Sequence, residues 1–488
     1  MSTVALSIIA AVLLSLSFSS FNFWLFAWCG FIPLFIALEN KTLAKSFIIA
    51  YFCGIVFWSF TIYWLVHVTL LGTIILVLYL ALYFGLFGLN VAFLKRLRGK
   101  AIFFLPCIWV LLEYIRSYLF TGFPWALIGF SQYKNLSVIQ IADITGVWGV
   151  TFLVILVNIV IYLIIRKQLK SKIYLVCAVL LLLSLIYGII RLSHNPNLAK
   201  NKQTFKISVI GGNIPQHLKW NKQAVGFIQN SYKELTVAAA NDNPDLVIWP
   251  EAAVPGLWPL DAAEFEQVFS LARKQNINLL VGAVSRFQDK YYNSALFIDK
   301  LGILQATYNK IHLVPFGEFV PLKNIFPFLE TIAPIGDIEP GKEYTIFKQP
   351  VSFGVLICFE DLFPELSREF VKKGAKFLIN ITNDAWYKEG SAPYQHFAAS
   401  VFRAIENRVY LARAANTGIS GLIDPSGRIL SVIHDINKKE IFVKGYSNQS
   451  IYLESSKRTL YNQYGDFFVL FCALLDVYVI ICILKNKK

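Results

Sequence analysis

The stretch VSFGVLICFEDLFP, residues 351–364, decides how the polar part of this chain is read. Its small and β-branched residues fit a buried strand and Pro364 fits the first turn of a helix, so Cys358 falls where the strand ends. A thiol at that edge is placed as a nucleophile. The plainer alternative is a free cysteine that packs as a small hydrophobe. The other six cysteines, Cys29, Cys53, Cys107, Cys177, Cys472 and Cys482, lie in long apolar runs, which leaves Cys358 without a disulfide partner in the polar segment.

Around that stretch, 206–212, 245–249, 278–284, 292–298, 352–358, 376–382 and 418–423 read as short apolar strands. The segments 222–240, 261–275, 365–373 and 394–411 carry helical periodicity. Apolar strands alternating with helices predict an α/β domain whose sheet is covered by helices. The Pro-, Phe- and Gly-rich stretch 311–345 is too long for an ordinary connection and is a candidate lid or arm.

The rest of the 488-residue chain is different in kind. Hydrophobic residues make up 56% of the whole, and the excess is concentrated before residue 191 and after 466. Apolar runs near 4–19, 22–38, 46–66, 70–94, 101–119, 146–165, 173–190 and 467–484 approach the roughly 20 residues a helix needs to cross a bilayer. Eight spans are therefore expected. The 4–19 run is read as a retained helix rather than a signal peptide, because it has no basic leader and a poor cleavage site. Domain bounds follow: helices over 1–191, an α/β domain over 192–465, and a last span with a basic tail over 466–488.

Charge orients these spans. Lys41, Lys45, Lys95, Arg96, Arg98, Lys100, Arg166, Lys167, Lys170, Lys172, Lys485, Lys487 and Lys488 fall in alternate loops and account for most of the net charge of +15. The positive-inside rule puts that face in the cytoplasm and the α/β domain outside it. With the basic residues used this way, nothing points to nucleic acid. Within the spans, Glu113 and Arg116 sit one helical turn apart and are expected to pair, and the Gly/Pro-broken stretch 122–133 is expected at the outer interface.

Three motifs carry chemistry. In IWPEAAVP (248–255), Glu251 follows a strand end, where a partly apolar pocket suits a carboxylate to general-base work. In YNKIHLVPFGEFVP (308–321), Lys310 offers a positive charge for a developing oxyanion, with Glu318 eight residues on. The third is ICFE (357–360), with Glu360 and Asp361 beside the thiol. Together they resemble the nitrilase superfamily with its Glu-Lys-Cys triad. With membrane helices on both sides and GNIPQHLKW at 212–220, the chain is similar throughout to bacterial apolipoprotein N-acyltransferases.

That resemblance implies an α-β-β-α sandwich beside a membrane bundle. It implies Glu251 as general base, Lys310 as stabiliser of the tetrahedral intermediate and Cys358 as nucleophile, with Glu318 and Glu360 as supporting acids. Trp220 and Trp386 match the family's loop and mobile-arm tryptophans. Phe359 departs from the tyrosine common at its position; its N–H still suits an oxyanion hole, while the phenol hydroxyl is absent. Asn293, Asn383 and Asp384 are candidates to orient the site or substrate, and Arg403, Glu406, Asn407 and Arg408 are expected to brace the sheet. The reaction implied is ping-pong transfer of a fatty acyl chain from a membrane phospholipid, through a Cys358 thioester, to the amine of a diacylated apolipoprotein. Its place would be the periplasmic side of the bacterial inner membrane, with apolar arms at 256–260 and 326–335 limiting water. No phosphate loop, metal-ligand spacing or dinucleotide fingerprint occurs, so no cofactor or metal is expected. A membrane-tethered amidase with the same triad is the competing reading, and a transporter is disfavoured by the few charges in the spans.

Overall fold

Residues 203–453 alternate apolar runs with turn-forming residues, and they fold as two sheets. The computed structural model describes residues 1–18, 20, 22–93, 101–167, 171–193, 203–320, 338–453 and 458–485. Contacts divide the chain into two units, Met1–His194 with Gln463–Lys488, and Asn195–Asn462. Lys95, Arg96, Arg98, Lys100, Lys170, Lys487, Lys488 and the arm at 326–335 lie outside the described residues.

In the larger unit the first sheet contains β1 (Gln203–Gly211), β2 (Leu246–Ile248), β3 (Leu257–Trp258), β4 (Leu279–Phe287), β5 (Lys290–Ile298), β6 (Leu304–Asn309) and β12 (Gly445–Leu453). Its order is β12-β1-β2-β4-β5-β6, with β3 beside β4. The β1, β2 and β4 strands run parallel, whereas β12, β5 and β6 pair antiparallel with their neighbours. The second sheet, in order, is β11 (Ile429–Val432), β10 (Gly421–Ile423), β9 (Tyr410–Ala415), β8 (Phe377–Thr382) and β7 (Phe353–Ile357). Its β7, β8 and β9 strands are parallel, and every residue in them is buried.

The sheets meet through phenylalanines. Phe205 of β1 packs on Phe377 of β8 with centroids 5.6 Å apart, and Phe297 of β5 packs on Phe353 of β7 at 5.8 Å. Helices Val225–Ala240 and Ala262–Gln275 cover the first sheet, where Ile228, Tyr232, Phe265 and Val268 join its core. Helices Pro364–Lys372 and Ala392–Asn407 cover the second. The result is helix, sheet, sheet, helix.

The helix expected over 394–411 ends at Asn407. Arg408 takes a left-handed conformation with φ 54°, and the chain re-enters the second sheet as β9. Leu, Ala and Arg favour a helix locally, but pairing with β8 and burial on both faces override that preference. Before the cap, Arg403 pairs with Glu406 at 2.8 Å within the helix, and Asn407 donates to Ser367 Oγ at 3.2 Å, which ties the two covering helices together. Of the expected apolar arm at 256–260, Leu257 and Trp258 form β3, and Trp258 packs on Phe265 and Phe269 at 5.2 and 5.4 Å. Leu260 remains exposed.

In the smaller unit, four helices among the described residues are long and apolar enough to cross a membrane: Leu43–Thr61, Leu70–Ala92, Val147–Ile165 and Tyr174–Ser193. Thr3–Leu16, Ala101–Tyr118 and Phe467–Lys485 fall on three further expected spans. The second expected span, 22–38, is not one helix. It forms a 3-10 turn, Trp24–Trp28, and a six-residue helix, Ile32–Ala37, interrupted at Gly30. Six helical residues rise only about 9 Å. The break is satisfied by a buried side chain: Asn158 donates to Ala27 O at 2.8 Å and accepts from Phe31 N at 2.9 Å. Gln132 ties the same segment to the 122–133 stretch, accepting from Trp28 Nε1 at 2.8 Å and donating to Trp24 O at 3.0 Å.

Glu113 and Arg116 are 4.0 Å apart, yet their stronger contacts are to that stretch. Arg116 donates to the carbonyls of Phe123 and Trp125 at 2.7 and 2.8 Å, and Glu113 accepts from Ile128 N at 2.8 Å. The pair satisfies a broken backbone as well as itself. Glu39 and Arg166, from two of the charged loops, form a bidentate pair, with Arg166 Nη2 donating to Glu39 Oε2 at 2.8 Å.

Candidate active site

The first sheet delivers a carboxylate. At the end of β2, Trp249 stacks on Tyr232 at 4.8 Å and donates to Thr236 Oγ1 at 2.9 Å, which fixes the strand's exit. Pro250 has no N–H with which to continue the ladder, and the chain turns with Ala252 at φ 46°. Gly282 of β4 lies directly beneath, donating to Pro250 O at 3.2 Å and accepting from Ala253 N at 2.8 Å. A Cβ at 282 would come 2.3 Å from Pro250 O and 2.6 Å from Glu251 Cα, so only glycine permits this approach. Glu251 is thereby held with its side chain 10% exposed.

The same sheet delivers the cation. Lys310 follows β6, its N–H donating to Asn293 O at 2.8 Å and its carbonyl accepting from Gly341 N at 2.7 Å. Its Nζ lies 2.8 Å from Glu318 Oε2 and 3.9 Å from Glu251 Oε1. Asn293 closes the cluster, with Nδ2 donating to Glu251 Oε1 at 2.7 Å and to Glu318 Oε1 at 2.8 Å. Burial works against the lysine's charge, but Glu318, a Cys358 thiolate and Glu251 outweigh it and hold Lys310 well above the ordinary lysine value. Two described parts of the candidate lid meet at Glu318: Val314 N–H donates to its Oε2 at 2.8 Å and Ile338 N–H to its carbonyl at 3.0 Å.

The second sheet delivers the thiol. The buried strand β7 runs into a 3-10 turn, Cys358–Leu362, and Cys358 takes φ 54°. A non-glycine residue in that region stores about 1–3 kcal/mol of strain, which surrounding contacts must hold. Asn380 Nδ2 donates to Cys358 O at 3.1 Å, and His396 Nε2 lies 3.3 Å from the same carbonyl. Burial and then Glu251 push the Cys358 thiol up, and Lys310 draws it down. Phe359 packs on Phe363 at 5.3 Å and on His312 at 6.0 Å.

Glu360 joins the two sheets' contributions. Its Oε1 accepts from Tyr308 Oη at 2.8 Å, Ile311 N at 2.7 Å and His312 N at 3.1 Å, and its Oε2 accepts from Ile357 N at 2.7 Å. One carboxylate thus grips residues on either side of Lys310 and the residue before Cys358. Burial pushes Glu360 up to about 7, against the pull of the Ile357 N–H and of Lys310.

Beneath the thiol lies a charged network. His396 bridges Asp361 Oδ1 at 2.8 Å and Asp384 Oδ1 at 2.9 Å, and Arg413 reaches Asp361 Oδ2 at 2.8 Å and Asn380 Oδ1 at 2.7 Å. Burial opposes a charged imidazole, but Asp361 and Asp384 raise His396 to about 9. Burial likewise opposes both carboxylates, and His396 with Arg413 outweighs it to hold them below the usual aspartate range. Asp384 belongs to a segment that the sequence marks; His396, Arg413 and Asn380 do not, and their only local sign is polarity inside otherwise apolar runs. Lys219 lies in the GNIPQHLKW run beside Trp220, but the sequence assigns it no role. It is 5% exposed and its Nζ donates to Glu251 O at 2.9 Å, whereas Trp220 and Trp386 are 58% and 50% exposed. Burial lowers Lys219 to about 8, despite Glu251 and Cys358.

Residues 10–160 match the family model for the apolipoprotein N-acyltransferase N-terminal domain, and residues 206–444 match that for carbon-nitrogen hydrolases. An apolipoprotein N-acyltransferase from Geobacter metallireducens is 39% identical, over 96% of this chain and 92% of that protein. Another from Rickettsia prowazekii is 35% identical, over 74% and 72%. Among solved structures, an amidase of the nitrilase superfamily from Nesterenkonia AN1 aligns with 55% of this chain and 95% of its own, at 18% identity and a TM-score of 0.40.

Proposed function

The chain belongs to the apolipoprotein N-acyltransferase family, and from that premise we propose that Glu251, Lys310 and Cys358 are its catalytic residues in a ping-pong transfer. It is an acyltransferase of the nitrilase superfamily that N-acylates lipoproteins. The observation that carries the residue assignment is the grip of Glu360 on Ile311, His312 and Ile357, which couples the Lys310 segment to the Cys358 turn.

In the first half-reaction the Cys358 proton passes to Glu251 and the sulfur attacks the ester carbonyl of a membrane phospholipid. Lys310 and the Phe359 N–H face the oxyanion that forms. When the carbon–oxygen bond breaks, Glu251 returns the proton to the departing lysolipid alkoxide, and a thioester remains. In the second half the α-amino group of a diacylglyceryl-cysteine lipoprotein attacks the thioester. Glu251 takes the proton of that amine, the carbon–sulfur bond breaks, and the sulfur recovers its proton as the amide leaves. Glu318 and Asn293 hold the Glu251–Lys310 spacing, and the exposed Trp220 and Trp386 are suited to contact lipid.

The chain passes the bacterial inner membrane eight times, one passage being the broken 22–38 segment, with residues 192–465 on the periplasmic side. The alternating basic loops and the Glu39–Arg166 pair between two of them support this orientation.

Incubating the full-length protein with phospholipid alone is expected to add one fatty acyl mass to the Cys358 peptide. Adding a diacylated lipopeptide is then expected to discharge it as triacylated product. Release of free fatty acid in place of that product would make the protein a hydrolase and overturn the assignment, as would transfer by Cys358→Ser.

A further inference from the structure

Lys219 is a buried cation with no part in the acyl transfer as written. The segment that carries it is clamped to the ends of β9 and β8: Ile214 N donates to Asn416 Oδ1 at 2.8 Å, Asn416 Nδ2 returns a bond to Ile214 O at 2.7 Å, and Asn383 Nδ2 donates to Gln216 Oε1 at 2.8 Å. The Gln216–Leu218 turn then sends Lys219 inward while Trp220 points out. Its ammonium has three N–H donors, and one goes to the Glu251 carbonyl.

The charges of the cluster explain why a second cation belongs there. Glu251 and Glu318 both lie within 4.0 Å of Lys310, so two carboxylates already share one ammonium. As Glu251 takes the Cys358 proton, negative charge moves from that carboxylate to a thiolate, and the tetrahedral intermediate passes it on to oxygen. Neither forms readily in a buried site unless positive charge offsets it. Among the described residues, the groups acting on the sulfur are Glu251 at the end of β2, Lys310 after β6, the Thr382 hydroxyl at the end of β8, Asp384 and Tyr387 after β8, and Lys219. Lys219 and Lys310 are the cations among them.

We propose that Lys219 is a positioning residue that acts electrostatically, its charge offsetting the second carboxylate of the Glu251–Lys310–Glu318 cluster and so letting negative charge develop on the Cys358 sulfur. This role rests on Cys358 as nucleophile, but it is tested on the thiol itself. Lys219→Gln keeps an N–H donor for the Glu251 carbonyl and removes the charge, and Lys219→Arg keeps the charge.

The measurement is the rate at which iodoacetamide alkylates Cys358 in the full-length protein, read on the Cys358 peptide by mass spectrometry across pH. Lys219→Gln is expected to slow alkylation at pH 7 about tenfold and to move the midpoint of the profile up by about one pH unit, as loss of a neighbouring opposite charge does. Lys219→Arg is expected to restore most of the rate. A Gln profile that overlays wild type, or one slowed by the same factor at every pH, overturns the proposal. Transfer by Cys358→Ser would overturn the nucleophile assignment instead, while leaving the alkylation profiles as they are, so the two failures are distinguishable.

Discussion

Replacing Glu360 tests whether one carboxylate keeps the two halves of the site in register. Glu360→Ala strips the acceptor from four donors. Ile311 and His312 are only partly buried and can turn to water, so the lasting cost falls on the Ile357 N–H and the Tyr308 hydroxyl, both fully buried. At about 1–3 kcal/mol for each orphaned donor, the alanine variant should lose roughly 2–6 kcal/mol. Glu360→Gln separates the effects. Its amide oxygen can still take the three donors at the Oε1 position, but the NH2 then faces the Ile357 N–H, which orphans one donor at about 1–3 kcal/mol. Because Ile357 precedes a strained nucleophile, much of that loss should appear as misplacement of the sulfur, and each 1.4 kcal/mol is about tenfold in rate. The assay is the single-turnover rate of Cys358 acylation, with membrane insertion and folding followed in parallel. Glutamine should slow acylation by about tenfold to a hundredfold and alanine by more. Wild-type acylation by a folded Glu360→Ala protein would refute the reasoning, since the elbow would then hold its shape without the grip.

Gly282→Ala should force the Glu251 turn outward, because the added methyl meets Pro250 O and Glu251 Cα well inside contact distance; a displacement near 1 Å would cost about a hundredfold in kcat with the Lys310–Glu318 pair intact. Steady-state kinetics of transfer would check it, and an unchanged kcat would show the turn can slide. His396, raised to about 9 from an ordinary value near 6.5, contributes stability that is fully present below pH 6.5 and is lost as pH rises through 9. A thermal unfolding series from pH 6 to 10 should therefore fall by an amount on the order of 3 kcal/mol, and His396→Gln should flatten it; parallel curves for the two proteins would exclude that role.

The parts of the fold legible in the sequence are those where local pattern and tertiary context agree. The apolar run into Cys358 and the Trp-Pro exit before Glu251 each mark a buried strand that stops just ahead of a reactive side chain, and the strands end at Ile357 and Ile248. Disagreement hides the rest. The strand β9 is made of helix-favouring residues, while β12 is polar enough to read as a loop and is defined only by its pairing with β1. The broken 22–38 segment reads as one unbroken helix because an apolar count does not register the Asn158 that satisfies its interruption. Lys219, His396 and Arg413 are hidden for a related reason: a charged residue in a short segment reads as solvated until a fold brings its partners from far along the chain. Asp361, for example, is 52 residues from Arg413.

The phenylalanine layer between the sheets has a reach that its distance from the chemistry conceals. Glu251 and Lys310 hang from one sheet and Cys358 from the other, so their spacing depends on how Phe205 and Phe297 bed against Phe377 and Phe353 as well as on the Glu360 grip. Slack introduced in that greasy seam loads the carboxylate tie nearer the reacting atoms. Volume-conserving substitutions there, which cost a core little, will show first as catalytic defects, and a screen for activity will find them before a screen for stability does.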